Sequence, residues 1–234
     1  MAKLLIRTLD RLVDTLVAIV CILLLLIGVY SMLDNLWLYQ NASDKSLLNF
    51  KPQLDEVLTP ERKITEQQVA WLSVFDTNID YPILQGEDNY EYLNKNPYGE
   101  FSLSGSIFLD ARNDPLFRDD YSLIYGHHMA HGTMFGALDS FSDRSYFDAH
   151  RHGVLTTPQA VYQMELFAVS YAEGTDPLLF DPRDRTTSEI DAFLSQNAMI
   201  YQAPAAGRRW IALTTCTDDA SNKRLLVFGT LKKT

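Results

Sequence analysis

Cysteine is nearly absent from these 234 residues: the chain holds two, Cys21 and Cys216. Cys21 falls inside a long apolar run and Cys216 lies near the other end, so no disulfide framework is expected. A lone thiol outside that run is either buried and inert or kept for its reactivity, and composition leaves both open. Positive charge is also short, with 20 Lys and Arg against 30 Asp and Glu and a formal net charge of −10. No basic stripe offsets this balance, which excludes nucleic acid as the main partner. Internal repeats, low-complexity tracts and charge blocks are missing as well. A metal motif is incomplete: His127 and His131 have the i, i+4 spacing of helical zinc ligands, but Gly126 and Gly132 bracket them. No cysteine pair or carboxylate motif nearby completes a coordination set, so no metal is expected.

What the chain does have is one long apolar segment near its start. Leu12 to Leu33 is apolar apart from Asp14, Thr15 and Ser31; as a helix it would span about 33 Å, close to the hydrocarbon core of a bilayer. Lys3, Arg7 and Arg11 precede it and Asp34 follows, so the positive-inside rule puts residues 1–11 in the cytoplasm and the rest outside. Tyr30, Met32 and Leu33 stand where a signal-peptidase site would need small residues, which favours an uncleaved anchor. Trp37 and Tyr39 suit the aromatic belt at the outer interface. The expected organisation is a cytoplasmic terminus (1–11), a transmembrane signal anchor (12–33), a stalk with weak helical periodicity (34–69) and one domain (70–234).

Within that domain, short β-like runs recur at 79–84, 104–110, 121–126, 153–157, 161–172, 209–216 and 224–231, separated by turn-rich segments. This pattern predicts a mainly β protein, an antiparallel barrel or sandwich. One segment breaks it. In TSEIDAFLSQNAMIY, Ile190, Phe193, Leu194 and Ala198 recur at helical spacing, with Ser188 and Asp191 as a capping-box-like start.

A cysteine nucleophile needs a nearby cation to hold the thiolate, and acyl transfer needs a donor for the developing oxyanion. Arg224 opens the last β-like run after the turn-rich TDDASNK, which should set it across a hairpin from Cys216. Its guanidinium could serve either need, or simply pair with Asp218 or Asp219. Of the five histidines, His127 directly follows the strand-like YSLIY and Gly126, a strand-end position suited to a site.

The stretches AWLSVFDTNIDYPILQGEDNYEYL, GSIFLDARN, LIYGHHMAHGTMFGAL and LTTC followed by Arg224, in this order, resemble the sortases, and specifically class B. The resemblance implies a closed antiparallel sortase-type β-barrel with peripheral helices, preceded by an N-terminal transmembrane helix. It makes Cys216 the nucleophile, His127 the acid and then the base, and Arg224 the basic partner. It also implies that Asn89, Leu93, Thr214 and Thr215 line the substrate groove; Thr214 stands where relatives commonly have serine. The implied reaction is transpeptidation: a C-terminal sorting signal of NPxTx or xPxTG type is cleaved, and the substrate protein passes through a thioacyl intermediate to an amine. That amine belongs to a peptidoglycan precursor or, in some relatives, to a pilin lysine. No metal or organic cofactor is implied for bond making. The implied location is the cell membrane of a Gram-positive-type cell, with the catalytic domain extracellular. A tethered barrel that binds without catalysing is the reading from another class, and the presence of Cys216, His127 and Arg224 together speaks against it.

Overall fold

The computed structural model describes all residues except 1, 43, 184, 206 and 217–221, and for residues 2–5, 40, 41 and 216 it describes the backbone alone. The chain divides into two compact units, Met1–Gln40 and Asn41–Thr234. The first is formed by helix α1 (Ala2–Ala42), which is long and apolar enough over Ile6–Tyr39 to cross a membrane. From Ile6 to Leu36 its Leu, Ile and Val side chains stand exposed around the helix.

Among the described residues the second unit holds eleven strands: β1 (Gln68–Val74), β2 (Asp80–Leu84), β3 (Ile107–Leu109), β4 (Tyr121–Tyr125), β5 (His128–Met129), β6 (Thr133–Met134), β7 (His152–Thr156), β8 (Val161–Glu173), β9 (Ile200–Tyr201), β10 (Arg209–Cys216) and β11 (Lys223–Lys233). Eight of them run in the order β11-β10-β4-β3-β2-β1-β7-β8, and β8 pairs again with β11 to close the barrel. The mainly β closed barrel expected from the sequence is therefore observed. It is not purely antiparallel, because β10 pairs with β4 and β2 with β3 in parallel. Parallel neighbours need long crossovers, and the chain between β4 and β10 supplies one that carries most of the peripheral structure.

Alternation along β10 divides two cores. Ile211 and Leu213 point into the barrel with Leu72, Ile83, Ile124 and Val227, and Phe135, Leu138 and Phe141 of the 3-10 segment Phe135–Ser142 join that cluster. Trp210 and Ala212 point outward with Tyr121, Leu123 and Phe228, under Leu179 and Phe180 of α3 (Pro177–Phe180) and Ile190 and Leu194 of α4 (Thr187–Asn197). With both faces covered, the strand reads as a continuous rather than alternating apolar run. One further short helix, α2 (Arg144–Ala149), follows the 3-10 segment.

Helix α4 begins two residues earlier than the sequence suggested. Its N-cap is Thr186, whose N–H and hydroxyl both donate to Oε2 of Glu189, at 3.2 and 2.9 Å. Asp191 instead accepts from the Tyr201 hydroxyl at 2.9 Å, so a tertiary contact takes the residue that spacing offered as a cap. Thr186→Ala should lower stability by about 1 kcal/mol in urea unfolding, whereas Ser188→Ala should leave it nearly unchanged; equal losses would put the cap at Ser188.

Candidate functional site

Two registers bring the predicted residues to one end of the barrel. In the antiparallel pair β10–β11, Cys216 lies directly across from Arg224. In the parallel pair β10–β4, Thr214 is in register with Tyr125, and the ladder continues as the Gly126 N–H donates to the Thr214 carbonyl at 3.1 Å. Two residues beyond each of those partners stand Cys216 and His127, so three neighbouring strands deliver His127, Cys216 and Arg224 at the same edge. The alternative partners considered for Arg224, Asp218 and Asp219, lie outside the described residues.

Gly126 sits where no side chain fits: a Cβ there would lie 2.5 Å from Ile107 Cδ1 and 2.7 Å from the Phe135 ring. The chain passes between these core groups and emerges at His127. The His127 Nε2 is 2.8 Å from the Leu93 carbonyl oxygen. A carbonyl can only accept, so Nε2 carries a proton in this geometry, and Nδ1 is left as the nitrogen that can exchange one. Gly105, at φ +58°, crosses close to this contact; a Cβ on it would come within 2.5 Å of the Leu93 oxygen and 3.0 Å of His127 Cδ2. The carbonyl of His127 is held by the N–H of Phe135 at 3.1 Å. His128 is turned to Asp139, Nε2 to Oδ2 2.7 Å.

The four residues expected to line a groove are placed differently from one another. Asn89 is engaged at both ends of its amide, donating to Asp110 Oδ2 at 2.9 Å and accepting from the Ala111 N–H at 2.7 Å. Leu93 packs beside Leu84, Tyr92 and Phe108 and offers its carbonyl to His127. Thr214 and Thr215 are fully buried, and the Thr214 hydroxyl has no hydrogen-bond partner among the described residues. His127 and His131 belong to no metal-holding cluster of three His, Cys, Asp or Glu among the described residues.

Next to these residues lies an ionic network that spacing did not single out. Asp110 is completely buried and receives a two-pronged contact from Arg112, Nε to Oδ1 2.8 Å and Nη2 to Oδ2 2.7 Å. The Tyr125 hydroxyl also donates to Oδ2 at 3.1 Å. Burial pushes the Asp110 carboxyl up, but its hydrogen bonds from Arg112 and Asn89 outweigh that and hold it below the ordinary value of 3.8. Burial and the Asp110 charge push the Tyr125 phenol well up, so it stays protonated as the donor. Both Asp110 and Arg112 were visible in GSIFLDARN. Their signal was an Asp two residues before an Arg at a strand end, which sequence alone does not separate from a surface pair.

The family model described as "Sortase domain" matches residues 72–232. The chain belongs to the sortase family, whose members are cysteine transpeptidases. Sortase B of Listeria monocytogenes is 33% identical over 197 residues, covering 81% of this chain and 80% of the relative. A class B sortase of Streptococcus pyogenes, described as involved in pilus biogenesis, superposes with a TM-score of 0.67 at 40% identity, covering 72% of this chain and 94% of that one. Sortase B from the type II pilus of Streptococcus pneumoniae gives 0.60 at 34% identity, covering 72% and 94%. Within the family, the chain stands with class B.

Asp110→Asn takes away the buried, two-pronged partner of the Arg112 guanidinium, leaving it the longer contact to Asp181, and should cost about 2 to 3 kcal/mol at neutral pH. The folded carboxyl titrates below 3.8, so its contribution is complete above the unfolded value and is lost as pH falls through the lower folded one. Urea unfolding of the two proteins from pH 7 downward should therefore converge at the acid end; a constant gap would remove the ion pair as its cause.

Proposed function

We propose that this protein is a membrane-anchored transpeptidase in which Cys216 is the nucleophile, His127 the proton carrier and Arg224 the oxyanion donor. The observation that carries the reading is the shared strand edge: Cys216 lies opposite Arg224 in one register, and the other register runs on toward His127. In the first half-reaction the Cys216 thiolate attacks the threonine carbonyl of a C-terminal sorting signal of NPxTx or xPxTG type. The tetrahedral oxyanion is held by Arg224, whose planar fork offers several donors to it. Collapse breaks the peptide bond, the departing amine takes its proton from His127, and a thioester to Cys216 remains. In the second half, an incoming amine attacks the thioester carbonyl and gives a proton to His127, the C–S bond breaks to return the Cys216 thiolate, and a new amide forms, so one imidazole serves as acid and then as base. The Leu93 carbonyl on Nε2 supports Nδ1 as the exchanging nitrogen. Asn89, Leu93, Thr214 and Thr215 are proposed to border the bound signal.

The proposed organisation keeps residues 12–33 as the anchor, with the N-terminus cytoplasmic and the catalytic domain outside; of the stalk expected over 34–69, residues 41–69 belong to the same compact unit as the barrel, whose first strand begins at Gln68 rather than at 70. The acceptor is proposed to be a cell-wall peptidoglycan amine. A second reading, a pilin lysine, is favoured by the likeness to the pilus-associated sortases of the two streptococci.

Incubating the full chain in detergent with pooled signal peptides, with and without amine acceptors, and following intact protein mass tests the reaction and the acceptor together. A peptide adduct that an amine discharges is the expected result. Cys216→Ala should abolish the adduct while leaving the melting temperature within a few degrees; signal cleavage by that variant would overturn the nucleophile assignment. Arg224→Lys should lose about tenfold or more in rate, since a point charge does not reproduce the fork; near-normal turnover would make the arginine structural.

A further inference from the structure

The Arg224 guanidinium is not left to wander on the hairpin. Its Cζ lies 6.0 Å over the ring of Phe180, which is itself buried at the end of α3. On another side stands Gly174, just past the end of β8. A Cβ at Gly174 would come within 2.6 Å of Arg224 Nε and 3.0 Å of Asn222 Oδ1. The bare backbone there makes room for the side chain, and the Gly174 N–H is tied to the Asn222 carbonyl at 2.8 Å.

What fixes Phe180 is an unusual pair of bonds. A helix as short as α3 leaves its last carbonyls without internal partners. Here the Leu179 carbonyl accepts from the Tyr121 hydroxyl at 2.9 Å, and the Phe180 carbonyl accepts from Arg112 Nη2 at 2.7 Å. Arg112 is in turn locked onto buried Asp110 by both prongs of its fork and faces Asp181 at 3.3 Å. A continuous set of contacts therefore runs from Asp110 through Arg112 and Phe180 to Arg224. The same Asp110 oxygen that Arg112 Nη2 contacts also accepts from Tyr125, the residue two before His127.

We propose that Phe180, braced by the Arg112–Asp110 ion pair, is the positioning residue that sets the Arg224 guanidinium for the reaction, with Gly174 leaving room for its Nε. The proposal rests on the transpeptidase reading for what Arg224 does, but the seat itself is a matter of geometry. An aromatic face attracts a guanidinium without hydrogen-bonding it, so the donors remain directed at whatever oxygen arrives. A carboxylate in the same place would have occupied those donors.

The test uses the full chain in detergent and two readouts. In the acylation assay, Phe180→Leu keeps apolar bulk but loses the π face, and should lower kcat about tenfold with KM nearly unchanged. Phe180→Tyr should restore most of the rate. If Phe180 acts through Arg224, adding Phe180→Leu to Arg224→Ala should cost nothing further, whereas independent roles would multiply. Multiplying losses, or an unchanged kcat, would overturn the proposal. The second readout needs no activity. The Arg224 Nε–H resonance should carry a ring-current shift that Phe180→Leu removes and Gly174→Ala, which pushes on Nε, displaces. An Arg224 resonance indifferent to both changes would refute the seat. An intact seat in a protein that forms no peptide adduct would instead fault the transpeptidase reading.

Discussion

Strand β10 is hydrogen-bonded along both edges and packed on both faces, and the arrangement of His127, Cys216 and Arg224 follows from its two registers. Its parallel pairing with β4 sets how far along the barrel His127 emerges, and its antiparallel pairing with β11 sets Arg224 opposite Cys216. Because successive side chains alternate between the barrel interior and the α3–α4 layer, a slip of one residue would exchange two fully buried apolar sets. The packing that stabilises the barrel therefore also enforces the geometry of the site.

Several features that look local serve that constraint. Gly126 lets the chain leave β4 between Ile107 and Phe135, and Gly105 lets a second segment pass the Leu93 carbonyl where it meets His127. The barrel is closed by β8 against β11, with a register shift at Phe228/Gly229 that bends the long pair around. On the outer face, α3 is held through its carbonyls by Tyr121 and Arg112, so a four-residue helix too short to be stable alone becomes a fixed wall beside Arg224.

Much of this was legible beforehand, and the reasons differ by feature. The barrel strands showed as short β-like runs because each is bounded by turn-rich sequence. Strand β1, Gln68–Val74, lies ahead of the first expected β-like run at 79–84, in a segment, TEQQVAWLSVF, whose character passes from helix-like to strand-like. In DPRDR, composition shows only a polar stretch, whereas in the fold Asp181 faces both Arg112 and Arg183, at 3.3 and 2.8 Å. Asn89 was read as a groove residue, and its amide is committed to the Asp110 turn at both ends. In each case the missing information was a partner distant in sequence.

By itself, then, the sequence determined the long apolar N-terminal segment, the β class of the domain, and Cys216, His127 and Arg224 as candidates for acyl transfer. These depend on composition, periodicity and residue type, which are local properties. Only the tertiary structure decided that two of the strand pairs run parallel, that Leu93 reaches His127 through its carbonyl, and that Arg224 rests on Phe180. Each of these is a contact between segments far apart in the chain, selected by which arrangement buries both faces of β10 while leaving Asp110 fully hydrogen-bonded, and no window of neighbouring residues contains that choice.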